Sequence, residues 1–269
     1  MFRDELQLME INVPRAALQL ARAVAYPDLN VAQYMSHLHE LSEEGAEVID
    51  LRLPVAMQAE QLSKFLFLTA GFRGNRSNYQ DPLNSFLNEV MDRRIGIPIT
   101  LSILYIDIAT RIGIPAYGIG LPGHFIVGIH DKESDIWLDP FHEGRILDLS
   151  DCADLIRFAT GYEGPLEASW FEPISALAIL ARILGNLRSA YVGSRSWPQA
   201  AEVIQLLRQV QPGEPEHLRD LGLVYYHERN LPQAAHYLNS YLQRRPDAGD
   251  AQVIRDGIKH ILDEWVPMN

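Results

Sequence analysis

Two stretches late in the sequence repeat one another at a fixed distance. Residues 194–204 read SRSWPQAAEVI and residues 228–238 read ERNLPQAAHYL, an offset of 34 residues. The same offset relates Ala200 to Ala234 and Pro212 to Pro246. A period of this length is typical of stacked helix–turn–helix units, in which small residues let two helices approach closely and a proline ends the second helix. The repeat therefore predicts an all-α array in the last third of the chain.

These repeated positions resemble tetratricopeptide repeats. The residues that carry the resemblance are Leu221, Gly222, Tyr225, Ala234 and Pro246. We predict a domain over residues 171–269, with repeats at about 181–214 and 215–248 and a capping helix over 251–265. Such arrays present a groove lined by the first helix of each unit, and the resemblance implies that a protein or peptide partner binds there.

Three tyrosines of the predicted first helices are candidates for partner contact. They are Tyr191, Tyr225 and Tyr226. Packing between helices is the favoured role for Tyr191 and Tyr225, because these two occupy equivalent repeat positions.

The first part of the chain predicts a different architecture, in which helices precede a small antiparallel sheet. Between Pro98 and Gly113 the segment ITLSILYIDIATRI is apolar on nearly every face, which predicts a helix buried at the centre of a domain. Short β-branched or aromatic runs at 116–120, 125–129 and 136–138 then predict strands. The fold class expected for the whole chain is α+β, with a first domain over residues 1–170.

The last two predicted strands bring a histidine and a carboxylate together. If Asp131 and Lys132 form a two-residue turn, Ile126 pairs with Trp137, and His124 lies opposite Asp139 on the same side of the sheet. An aspartate so placed can hold the imidazole in one tautomer and stabilise its charged form. A turn role for both residues is the alternative.

Several separated motifs of this first part resemble a known family. The helix ending in RIGIPAYGIG, the strand bearing GHFIVGI and the segment WLDPF resemble the core of transglutaminase-like proteins. The stretch YQDPLNSFLNEVMDRRIGIPITLS followed by LPGHF resembles the bacterial SirB family, in which such a core precedes tetratricopeptide repeats. The resemblance implies that His124 and Asp139 match the family's histidine and aspartate, and that the family's nucleophilic cysteine falls near Pro98.

No thiol stands at that position, where the sequence reads Gly96-Ile97-Pro98-Ile99-Thr100. Thr100 and Ser102 are the nearby hydroxyls, but each would need a base within hydrogen-bond reach. The single cysteine, Cys152, lies downstream in a predicted helix and is interpreted as a buried structural residue.

Other polar and aromatic residues are candidates for a cleft beside His124. The resemblance favours Asn84, Asn88, Pro98 and Trp137 as its lining, and helix capping is the alternative role for the asparagines.

Charge and hydropathy exclude some classes of function. The net charge is −12, and the excess lies in residues 1–173, which hold 25 acids and 13 bases, whereas residues 174–269 hold 10 of each. Nucleic acid needs a basic surface, which neither part offers. No apolar run is long enough to span a membrane and the N-terminal residues are acidic, so we expect a cytoplasmic protein. Neither a nucleotide loop nor a zinc-ligand spacing is present, so no cofactor or metal is expected.

These observations predict a non-catalytic transglutaminase-like protein that acts as an adaptor through its repeats. Two alternatives remain open. One is an acyl transferase or amide hydrolase that uses His124 as base, Asp139 as orienting group, and Thr100, Ser102 or water as the attacking group. The other is a small-ligand pocket at the same cleft.

Overall fold

The computed structural model describes residues 2–131 and 135–265. The chain forms two units, which divide between Ile183 and Leu184. The α+β class expected from the sequence is confirmed, with a mixed first unit and an all-helical second unit. The domain boundary expected between residues 170 and 171 lies earlier than this division and stays a prediction.

Among the described residues, seven α-helices belong wholly to the first unit. They are α1 (Phe2–Glu5), α2 (Val13–Val24), α3 (Val31–Val48), α4 (Val55–Ser63), α5 (Leu87–Arg93), α6 (Pro98–Arg111) and α7 (Leu149–Thr160). Local sequence explains several of their ends. Asn12 caps α2 by accepting a hydrogen bond from the amide of Arg15, and the carboxylates of Asp148 and Asp151 form a capping box at the start of α7.

Helix α6 is the centre of this unit, as its composition predicts. Its residues Leu101, Leu104, Tyr105 and Ile108 are at most 1% exposed. The buried hydroxyl of Tyr105 donates to the carbonyl oxygen of Ala59, 2.9 Å away, so its polar group is satisfied inside the core.

Six short strands complete the unit: β1 (Arg73–Gly74), β2 (Ile95–Gly96), β3 (Ala116–Ile119), β4 (Ile126–Ile129), β5 (Ile136–Asp139) and β6 (Arg145–Leu147). Strands β1 and β2 form a parallel pair. The other four form an antiparallel sheet in the order β3-β4-β5-β6, and β6 had not been expected from the sequence.

The two faces of the antiparallel sheet are covered by different helices. Val127 and Leu138 belong to the apolar cluster around α6. Ile126 belongs to a second cluster with Cys152 and Ile156 of α7. Because side chains alternate along a strand, Asp139 points to the face opposite Leu138, which is the face that α7 covers.

The register of the central hairpin differs from the predicted one by two residues. Trp137 pairs with Gly128, not with Ile126. Ile136 pairs with Ile129, whereas the predicted two-residue turn would pair it with Val127, so that turn is wrong. Lys132 of the predicted turn lies outside the described residues. An even shift leaves every side chain on its original face, so the expectation that His124 and Asp139 share one side survives the error.

The second unit is a helical array. It contains the end of α8 (Ala176–Gly193) and all of α9 (Trp197–Val210), α10 (Glu216–His227), α11 (Leu231–Arg244) and α12 (Ala251–Trp265). Gly222 of α10 faces Leu238 of α11, and a Cβ atom placed on Gly222 would lie 2.5 Å from Cγ of Leu238. The repeat glycine therefore allows the close helix approach that the 34-residue period predicts.

Candidate functional site

A histidine and an aspartate meet at the edge of the antiparallel sheet. Nε2 of His124 lies 2.9 Å from Oδ2 of Asp139. Asp139 is the last residue of β5, and His124 comes just before β4, after Gly123 in a left-handed conformation. The side chain of Asp139 is 1% exposed and that of His124 is 10% exposed. The contact expected between the two side chains is thus present, although the strand register behind it is not the expected one.

A second histidine contacts the same carboxylate oxygen. Nδ1 of His142 lies 2.7 Å from Oδ2 of Asp139. The chain turns sharply here because Oδ1 of Asp139 accepts the amide of Phe141 and starts a 3₁₀ turn over Pro140–His142. The sequence analysis did not select His142. Two signals were available, its spacing of three residues from Asp139 in DPFH and its place just after the predicted hairpin.

We refer to His124, Asp139 and His142 as the His–Asp–His cluster. Phe141 holds both rings, since it packs edge-to-face against His124 and His142 at centroid distances of 6.3 and 5.2 Å. Burial opposes ionisation of the Asp139 carboxyl, but the hydrogen bonds from the two histidines outweigh it and hold the pKa of Asp139 well below its ordinary value.

The cluster lines a cavity of about 1040 Å³. Arg76 and Tyr79, from the loop after β1, form part of its wall, and Asp151, Asp154 and Phe158 of α7 form another part. Burial raises the pKa of the Tyr79 hydroxyl, while Arg182 opposes that change and Asp139 adds to it. The carboxylate of Asp139 therefore acts electrostatically on groups across this cavity.

Arg182 also supports the site, although sequence reasoning missed it. Its Nη2 donates to the carbonyl oxygens of Leu121 and His124, at 2.8 and 2.7 Å. Its guanidinium lies 5.6 Å from the ring centroid of Phe125. Burial lowers the pKa of Arg182. These contacts fix the backbone on which His124 is carried.

The four expected cleft-lining residues are not among those that line this cavity. Asn84 is fully buried and its amide group bonds Asn75 and the carbonyl of Asn78. Asn88 is 2% exposed, and Pro98 is buried at the start of α6. Trp137 packs against the ring of Phe171 at 4.5 Å. The two asparagines and Pro98 thus pack into the unit's interior, and Trp137 is half-buried against Phe171.

The two candidate hydroxyls are also turned away from the cavity. The hydroxyl of Thr100 donates to backbone carbonyls, with the oxygen of Asn84 at 2.9 Å, and accepts the amide of Ile97 at 3.1 Å. Ser102 is fully buried, and its hydroxyl has no hydrogen-bond partner among the described residues. Thr100 thus caps α6, and its proton is committed to a backbone carbonyl.

Cys152 lies near the cluster but is shielded from solvent. It is a fully buried residue of α7. Burial, and secondarily the carboxylates of Asp151 and Asp148, raise the pKa of its thiol to about 12. A thiol in this condition is a poor nucleophile at neutral pH.

The three candidate tyrosines of the repeat unit have different surroundings. Tyr191 is 8% exposed. Tyr225 stacks on Tyr237 at a centroid distance of 5.5 Å. Tyr226 is half-buried, packs in part against the apolar cluster of α10, α11 and α12, and lies beside His227 at a centroid distance of 5.9 Å.

Comparisons with known proteins agree with this two-part organisation. The model of the transglutaminase-like superfamily matches residues 32–185, and a tetratricopeptide-repeat model matches residues 187–259. The UPF0162 protein of Xylella fastidiosa (strain 9a5c) is 36% identical over 255 residues, which are 93% of this chain and 90% of the relative.

Two more distant likenesses extend the range of organisms. Human F-box only protein 21 is 27% identical over 197 residues, covering 68% of this chain and 30% of that protein. The crystal structure of menin overlaps with a TM-score of 0.40 at 12% identity, over 89% of this chain and 67% of that one, which is too distant to bear on function. No helix among the described residues has the length and apolar character that crossing a membrane requires.

Proposed function

The chain belongs to the transglutaminase-like superfamily, and on that premise we propose that it is a non-catalytic adaptor, of the bacterial SirB type, that binds a partner protein through its repeat unit. Tetratricopeptide repeats are protein-interaction modules, and the match of residues 187–259 supports this role. The proposal has two parts: the absence of nucleophilic chemistry and the presence of a docking face.

The surroundings of the superfamily's cysteine position support the first part. Pro98 stands there, at the buried first turn of α6. The Thr100 hydroxyl is committed to capping, and the pKa of the Cys152 thiol is raised to about 12 by burial. None of these groups supplies an activated nucleophile next to His124.

The distribution of exposed apolar side chains carries the second part. Among the described residues from 184 onward, the exposed large apolar side chains are Val192, Leu223, Val253 and Leu262. All lie on α8, α10 or α12, which are the first helices of the units; α9 and α11 contribute none. Apolar exposure restricted to one set of helices indicates a face that a partner covers.

Three of the residues on these helices lie at related positions. Val192 and Tyr226 occupy equivalent repeat positions, 34 residues apart, and Leu223 lies three residues before Tyr226 on the same side of α10. We call Val192, Leu223 and Tyr226 the first-helix face. Its occupant in this proposal is a peptide segment of a partner that inserts apolar side chains.

Ion pairs between successive first helices hold this face rigid. Arg188 of α8 pairs with Asp220 of α10 at 2.8 Å, and Arg219 of α10 pairs with Asp250, just before α12, at 2.9 Å. A rigid groove loses little conformational entropy when a peptide binds.

Site-directed photo-cross-linking of the full chain tests the docking face. A photoreactive amino acid at position 226 is compared with one at the exposed Gln243 of α11, in extracts of the source cells. We expect one discrete cross-linked protein from position 226 and none from position 243. The adduct should disappear when Leu223→Glu is added and should persist with His124→Ala. Equal adducts at both positions, or an adduct that survives Leu223→Glu, would contradict the proposal.

The contact of His124 with Asp139 inside a cavity favours one competing function. In an amide hydrolase, His124 would activate a water molecule and Asp139 would orient the imidazole. Hydrolysis of a p-nitrophenyl ester by the folded chain, lost in His124→Ala, would support this reading against the adaptor; no difference between the two proteins would count against it.

A further inference from the structure

The His–Asp–His cluster has the composition of a metal centre, with two imidazole nitrogens and one carboxylate oxygen. These three potential ligand atoms lie within 4.8 Å of one another. We propose that the cluster binds one divalent first-row transition-metal ion, with His124 Nε2, Asp139 Oδ2 and His142 Nδ1 as its protein ligands. This inference rests on the first unit alone and is independent of the adaptor proposal.

Two of the three distances between the ligand atoms are close to those found around a single ion. Asp139 Oδ2 lies 2.9 Å from His124 Nε2 and 2.7 Å from His142 Nδ1. An ion with bonds of about 2.1 Å separates neighbouring ligands by about 3.0 Å in octahedral geometry and by about 3.4 Å in tetrahedral geometry. These two distances are closer to the octahedral value, and shifts of a few tenths of an ångström would bring both of them to it.

The chemistry of the ligand set selects the class of ion. Imidazole nitrogen suits zinc, iron, manganese, cobalt and nickel, whereas calcium and magnesium prefer sites made of oxygen alone. The carboxylate of Asp139 is 1% exposed, and a buried negative charge is stabilised by a cation held against it. In the absence of an ion, two imidazole N–H groups must share the one oxygen.

The surroundings fix the ligands and leave room for others. Phe141 packs edge-to-face on both rings, and its amide holds the second oxygen of Asp139, so rotation of all three ligands is restricted. Three protein ligands leave coordination positions open, and the cavity of about 1040 Å³ lies beside them. Water or a small anionic ligand can occupy these positions, with Arg76 among the cavity's cationic groups.

The sequence alone could not show the complete centre, because its ligands come from two separate segments of the chain. His124 precedes β4, Asp139 ends β5, and His142 closes the 3₁₀ turn that follows. Only the pairing of β4 with β5 brings the first of these ligands to the other two.

Isothermal titration of the chelator-treated full chain with Zn²⁺ and Mn²⁺ tests the proposal, with Mg²⁺ as the ion expected not to bind. We expect one ion per chain for at least one of the two transition metals. Outer-shell partners alone change metal affinity by about 10–100-fold, so His142→Ala should weaken binding by at least about 100-fold. The matched control is His130→Ala, because His130 also contacts a carboxylate, Asp135 at 3.1 Å, but is largely exposed.

A spectroscopic measurement keeps the result independent of folding defects in the variant. Imidazole ¹⁵N resonances of the wild-type chain should shift for His124 and His142 when the ion is added and stay unchanged for His130. X-ray absorption should show two imidazole ligands on the bound ion. Three outcomes would overturn the proposal: no stoichiometric binding, unchanged binding in His142→Ala, or ¹⁵N shifts at His130 alone. The cluster would then consist of two imidazoles hydrogen-bonded to the Asp139 carboxylate without an ion.

Discussion

Gly222 of α10 is where a single added methyl group should most clearly reveal the close packing of the repeat. A Cβ atom there would lie 2.5 and 2.7 Å from Cγ and Cδ2 of Leu238, and 3.1 Å from the backbone nitrogen of Leu238. Ordinary carbon contacts are about 3.5–4.0 Å, so the shortfall is about 1 Å. Because a backbone atom is among the neighbours, a new rotamer of Leu238 cannot relieve the crowding, and α10 and α11 must move apart.

The expected free-energy change of Gly222→Ala combines two opposing effects. Overpacking of a core costs about 1–3 kcal/mol, and replacing glycine by alanine inside a helix returns about 0.5–1 kcal/mol. The net result is a loss centred on about 1 kcal/mol, within a range of about 0–2.5 kcal/mol. For a unit of this size, each kcal/mol corresponds to about 4–8 °C in Tm.

The matched control is Gly257→Ala in α12. A Cβ on Gly257 meets no atom within 4 Å, so only the helix-propensity gain applies and the variant should be more stable by about 0.5–1 kcal/mol. Hydrogen exchange of amides in α10 and α11 gives the local opening free energy of each variant. If the amides of α10 and α11 exchange as slowly in Gly222→Ala as in the wild type, the close approach of these two helices does not require a glycine at position 222.

Three further predictions concern the first unit. In a denaturant titration, Thr100→Val should destabilise the chain by about 1–2 kcal/mol, because the cap of α6 is lost. Ser102→Ala should be neutral or stabilising in the same titration, because the buried Ser102 hydroxyl has no partner among the described residues. With the pKa of Cys152 raised to about 12, its thiol stays protonated at pH 8, so iodoacetamide should label the native chain far more slowly than the unfolded one; equal rates measured by mass spectrometry would refute this. Gly123→Ala should cost about 1–3 kcal/mol in thermal unfolding, because φ is +71° and the new Cβ would lie 2.6 Å from that of Ala159; an unchanged Tm would contradict it.

Most of the predictable part of the fold followed from repeating patterns in the sequence. The 34-residue offset predicted the helix pairs of the second unit. Residues at equivalent repeat positions make equivalent packing contacts, so the same residue types recur in each copy. The apolar run after Pro98 predicted a buried helix, and α6 spans Pro98–Arg111 with its core residues inaccessible. Both signals can be recognised from the order of residues along the chain, one as a repeat and the other as a continuous apolar run.

The cluster was predicted in part, for a reason that lies in strand geometry. Side chains on a strand alternate with a period of two, so the shared face of His124 and Asp139 was fixed by their spacing even though the register was wrong by two residues. His142 was missed because its position depends on the turn that the Asp139 carboxylate organises. The expected lining residue Trp137 was misplaced because its partner, Phe171, is distant in sequence.

The sequence by itself determined the α+β class, the helical repeats, the central helix and the common face of one histidine and one aspartate, because these follow from periodic patterns along the chain. Only the tertiary structure decided the hairpin register, the recruitment of His142, the covering of that face by α7 and the direction of the Thr100 hydroxyl. Each of these depends on contacts between segments whose mutual distance no local pattern encodes. The chemistry available to this cavity therefore depends on long-range packing.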